Sequence, residues 1–115
     1  MDKKYDLEER TTRFSANIIQ FCKIIKQDVI SKPIISQLVR SATSIGANYM
    51  EANGASSKKD FKNKIHTCKK ESQETMYWIK IVVEYDPSKK DSARILYKEA
   101  QELTFIFGKI ISSMK

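Results

Sequence analysis

Apolar positions recur along this chain at alternating spacings of four and three. The first series is Leu7, Thr11, Phe14, Ile18, Phe21 and Ile25, one side chain per turn on a single helical stripe. It predicts helix one over about Asp6 to Lys26. Gln27 to Lys32 breaks the rhythm, and Pro33 then suits the first turn of a new helix, where a missing N–H costs nothing. Helix two, residues 33–53, carries Ile35, Leu38, Ala42, Ile45, Tyr49 and Ala52 and is closed by Asn53 and Gly54. Ser57-Lys58-Lys59-Asp60 has the form of a capping box and opens helix three, 58–85. Its seam is Phe61, Ile65, Cys68, Ser72, Thr75, Ile79 and Val82, and Asp86-Pro87 stops it. Ser88 to Asp91 repeats the capping pattern before helix four, 88–113, with Ala93, Leu96, Ala100, Leu103, Phe107 and Ile110.

Short connections make neighbouring helices antiparallel, and a seam of this period favours packing at about 20°. The expected fold is all-α, an antiparallel up-down-up-down four-helix bundle forming one domain over 1–115. Gly108, inside helix four, costs about 1 kcal/mol relative to alanine, so close approach of a neighbouring helix is expected there.

Helix two departs from the simple amphipathic pattern. Between Pro33 and Ser56 the only charged residues are Arg40 and Glu51, and Ile34, Val39, Gly46 and Met50 form a second side beyond the seam. A helix that is apolar on two sides is buried on two sides, either by a wide core or by another subunit. The second option predicts a homo-oligomer with these four residues at its interface. Tyr77, Trp78 and Ile81 give helix three a comparable second side, which would serve equally as interface anchors or as the edge of an enlarged core.

Composition narrows the picture further. Scarce glycine and proline suit helices, no apolar run is long enough to span a membrane, and the charged first residues are unlike a secretory signal, so a cytoplasmic protein is expected. Cys22 and Cys68 sit in apolar helical settings far apart and are expected to be reduced and buried. One histidine and two separated cysteines provide no metal-ligand cluster, and neither a metal nor a cofactor is expected.

Facing positions in an antiparallel hairpin have a constant sum, and the turn near Ala55 places Arg40 opposite Lys70 to Glu71. Arg40 is therefore expected to pair with Glu71 or Glu74, an arrangement that fixes register more than it adds stability. Ser44, Asn48 and Glu51 form a polar stripe on helix two. Ser44 would face His66, but with no acidic orienter and no oxyanion donor in a helix interior, interhelical hydrogen bonding is the expected role and catalysis is not.

One run of residues resembles a known family. Gln37-Leu-Val-Arg-Ser-Ala-Thr-Ser-Ile-Gly-Ala-Asn-Tyr-Met-Glu-Ala52, with Ser57, Asp60-Phe61-Lys62, Lys70-Glu71-Ser-Gln-Glu74-Thr75 and Tyr77-Trp78-Ile79, looks like the bacterial 23S rRNA intervening-sequence proteins. The resemblance is close from about Gln37 to Val82, and Ala52 stands where many members have glycine. It implies a homopentamer of four-helix bundles around a channel, without enzymatic activity. It also implies kinship with basic accessory proteins of diversity-generating retroelements, whose partners are nucleic acid and a reverse transcriptase.

Charge gives that kinship a physical counterpart. The balance of 21 Lys plus Arg over 14 Asp plus Glu is +7 per chain, so five chains would carry +35. Lys58, Lys59, Lys62, Lys64, Lys69 and Lys70 crowd the first half of helix three, with Lys3 and Lys4 expected at the same end of the bundle. Such a patch attracts RNA or DNA by counterion release. No aromatic interleaves with these lysines except core-facing Phe61, so binding is expected to be poor in sequence preference. The alternative is a structural or protein-partner scaffold whose charge serves solubility.

Overall fold

The structure, a computed structural model, describes residues 6–114. Four helices follow one another: α1 (Leu7–Lys23), α2 (Ser31–Asn53), α3 (Lys58–Tyr85) and α4 (Lys90–Ser112), with a 3₁₀ turn at Pro87–Lys89 before the last. Each packs against its neighbours in sequence, and α4 closes back on α1 along a thinner seam, the arrangement of an up-down bundle. The particle measures 44 × 25 × 20 Å, one helix long and two helices wide. The seam residues fill the centre: Phe14, Ile18, Leu38, Ile45, Ile65, Ile79, Leu103 and Phe107 are all fully buried.

Helix ends depart from the expected boundaries where the chain finds a better cap. Helix α1 stops at Lys23 rather than Lys26, because Ile24 and Ile25 donate to the Phe21 and Cys22 carbonyls and tighten the last turn. Ile25 stays buried although it lies outside the helix. Helix α2 begins at Ser31, two residues before Pro33. The Asp28 carboxylate accepts from the Ile30 and Ser31 amides at 2.9 and 2.8 Å, and the Ser31 hydroxyl accepts from the Asp28 amide at 2.9 Å.

Helix α3 starts as its sequence predicts, with the Ser57 hydroxyl accepting from the Asp60 amide at 3.0 Å. The second box does not form. Asp86 accepts from both the Ser88 amide and the Ser88 hydroxyl, turning Pro87–Lys89 into a 3₁₀ turn, and α4 begins only at Lys90. A carboxylate ahead of a proline competes successfully with a serine behind it, since Pro87 occupies the turn's first position.

Two hydroxyls pin α2 to α3 inside the core. Thr75 Oγ1 lies 3.0 Å from Ser41 Oγ, which donates to the Leu38 carbonyl, and both residues are buried. Among the described residues, every buried side-chain nitrogen or oxygen has a hydrogen-bond partner.

Candidate nucleic-acid interface

Helix α3 runs the length of the bundle, and its exposed arc is where the lysines lie. At 3.6 residues per turn, Lys58, Lys59, Lys62, Lys69 and Lys70 fall within about 120° of that helix. Lys58, Lys59 and Lys70 are exposed, while Lys62 and Lys69 are half-buried on the side facing α4. Among the described residues none of the five is paired with a carboxylate. Lys62 Nζ lies 3.5 Å from the Met114 carbonyl, and the Lys69 side chain extends across α4 beside Gly108.

The sixth lysine does not belong with them. Lys64 projects from the opposite flank and bonds Glu51 of α2 at 2.8 Å, which raises its pKa above the ordinary lysine value. A cation held by its own chain has less to offer a phosphate. Lys3 and Lys4 lie outside the described residues.

The neighbouring helix α4 carries an exposed aromatic residue beside a lysine of its own, which the pattern of α3 alone does not reveal. Phe105 of α4 is 65 % exposed, and Lys109 Nζ sits 5.7 Å from its ring centroid. The sequence does carry the signal, because Phe105 falls between the seam residues Leu103 and Phe107 and so points off the core stripe.

On the α2–α3 face, Arg40 reaches both carboxylates. Its guanidinium lies 3.2 Å from Glu71 and also bonds Glu74, while Gln37 accepts from its Nε at 2.9 Å. Trp78 Nε1 donates to Glu74 at 3.0 Å, so the indole closes the network. The remaining polar stripe differs from expectation. Ser44 donates to the Arg40 carbonyl and Asn48 to the Ser44 carbonyl, both within α2, because a side chain four residues on finds its own helix's carbonyl first. Only Glu51 reaches across. His66 is exposed.

The residues placed at an oligomer interface by sequence divide in two. Met50 and Tyr77 are exposed at 60 % and 54 %, whereas Ile34, Val39 and Trp78 are half-buried and pack against the edge of the core, and Ile81 is half-buried. Gly46 is corrected. A Cβ there would meet Thr11 Oγ1 of α1 at 3.1 Å, so this glycine serves the α1–α2 contact within one chain.

Opposite the lysines, α1 and α4 border a cleft of about 720 Å³. Arg10 spans it, bonding Glu99 at 2.7 and 2.8 Å and Glu102 at 2.9 Å. This network pairs one cation with two carboxylates, and its hydrogen bonds raise the Arg10 pKa further. Both cysteines are free and buried, and loss of water pushes their thiols up to about 11 for Cys22 and about 12 for Cys68. Among the described residues, no three His, Cys, Asp or Glu side chains gather in a way that could hold a metal ion, and no helix is long and apolar enough to cross a membrane.

Fold and surface together define a class: small all-α bundles whose distinguishing chemistry lies on helix flanks. The chain belongs to the 23S rRNA-intervening sequence protein family, whose model matches residues 3–109. It is similar to a protein of unknown function from the S23 ribosomal protein family of Bacteroides thetaiotaomicron. Its crystal structure superposes with a TM-score of 0.81 at 29 % identity, over 90 % of this chain and 96 % of that one. No curated protein matches.

Proposed function

We propose that this chain is the subunit of a non-enzymatic homo-oligomer, a pentamer as the family resemblance implies, that binds RNA or DNA through the lysine flank of α3. Its service would be to hold nucleic acid for an enzyme carried on another chain, such as a reverse transcriptase. The observation that carries this reading is the set of five lysines on one arc without carboxylate partners among the described residues, beside a sixth that has one. Free cations displace counterions from a phosphate backbone, and paired ones already have their anion. The family name and the relative's ribosomal affiliation are in keeping with an RNA ligand.

The test is affinity for RNA as a function of salt. If all five lysines meet phosphates of a single strand, the slope of log affinity against log salt is about −3.5 per subunit, a loss of about a hundredfold between about 50 and 200 mM. Changing Lys58, Lys59, Lys62, Lys69 and Lys70 to glutamine should flatten that slope and abolish retention, whereas Lys64→Gln should change little. Salt-independent affinity that survives the five changes would favour the scaffold for protein partners instead.

A further inference from the structure

Phe105 contributes nothing to the core that its neighbours do not already supply. Leu103 and Phe107 fill the interior, and the Phe105 ring between them stands 65 % exposed. A cation lies one turn on. Lys109 Nζ lies 5.7 Å from the ring centroid. Three cross-links set the α3–α4 register: Met76 meets Thr104, Lys69 lies beside Gly108, and Lys62 reaches the Met114 carbonyl. That register puts Phe105 next to the upper end of the lysine flank.

Phe61–Lys70 and Leu103–Met114 contain no carboxylate, and Glu71 and Glu74, which lie level with Phe105 on α3, are bound by Arg40 on the α2 side. The nearest acids on α4, Glu99 and Glu102, are turned toward α1 and held there by Arg10. The Lys69 stem lies across α4 at Gly108, with Cε 3.8 Å from where a Cβ would sit. The result is an exposed aromatic face bordered by lysines from two helices, with the local acids drawn away.

We propose that Phe105 is a stacking platform for an unpaired base, with Lys62, Lys69 and Lys109 holding the adjacent phosphates, so that the ligand of this surface is single-stranded nucleic acid. The proposal rests on the nucleic-acid reading above and narrows it. A base in a duplex already has both faces stacked, and a ring on the convex flank of a helix bundle has no route between them. A base in a single strand offers a free π-face of any sequence. Phosphates beside it then find Lys62 and Lys69, separated by about 10 Å along α3.

The experiment compares a fluorescein-labelled single strand of mixed sequence with the same strand annealed to its complement, by anisotropy at low salt. Phe105→Ala should weaken single-strand affinity by roughly five- to a hundredfold. It should leave duplex affinity, helical circular dichroism and the salt slope unchanged. Phe105→Trp should restore single-strand binding, and its fluorescence should be quenched on stacking. Ile95→Ala removes an equally exposed apolar side chain of α4, 73 % exposed, and should have no effect. Wild-type binding that Phe105→Ala leaves intact would overturn the stacking role while sparing the lysine flank. An equal loss with Ile95→Ala, or no rescue by tryptophan, would also overturn it. A wild-type protein that retains neither strand nor duplex would remove both readings together.

Discussion

Gly46 and Gly108 both sit inside helices, where glycine costs about 1 kcal/mol relative to alanine, yet their surroundings differ. At Gly46 a Cβ would press on Thr11, whose hydroxyl is tied to the Leu7 carbonyl at 2.6 Å and cannot easily turn away. At Gly108 it would meet only the flexible end of Lys69 at ordinary contact distance. Gly108→Ala should therefore stabilise the protein by about 1 kcal/mol, while overpacking of about 1–3 kcal/mol at Gly46→Ala should cancel or exceed the helix gain. Thermal unfolding should order the melting temperatures as Gly108→Ala above wild type and Gly46→Ala at or below it. Sequence alone placed the close helix approach at Gly108. A glycine marks a position that tolerates crowding, but only the packed neighbour says whether anything is there.

The helices themselves were legible because a repeating apolar stripe needs no distant information, and all four seams lie where the periodicity put them. The starts of α2 and α4 were not, since in each an aspartate ahead of the expected cap captures the local amides, and at α2 a distant residue holds that aspartate in place. Asp28 is the clearer case. It bonds the Ile30 and Ser31 amides and accepts from the hydroxyl of Tyr85, at the far end of α3. The Tyr85 hydrogen bond first, then the Ser31 amide, hold its carboxyl down to about 2. A folded-state pKa below the unfolded value of about 4 stabilises the fold above that value and ceases to do so as pH falls through about 2. Asp28→Asn should thus melt below wild type at neutral pH, and the gap should narrow between about pH 4 and pH 2. A gap independent of pH would mean that the cap acts without its charge.

At the scale of the whole molecule, the outer faces of α2 and α3 leave Met50 and Tyr77 open, with Val39 and Trp78 only partly covered. If these surfaces join subunits, light scattering should give a multiple of the 13.3 kDa chain, five for a pentamer. Met50→Glu combined with Tyr77→Glu should reduce that mass toward one chain without loss of helicity. A wild-type monomer would sink the oligomer reading. Residue order by itself determined the four helices, their antiparallel order and the Arg40 register, because local periodicity and short loops leave no other arrangement. The tertiary structure decided what lies between helices: Lys64 paired with Glu51, Gly46 turned to Thr11, and Lys69 laid beside Gly108 of another helix. Those outcomes depend on which side chains meet across a packed interface, and spacing along one helix does not encode its neighbour.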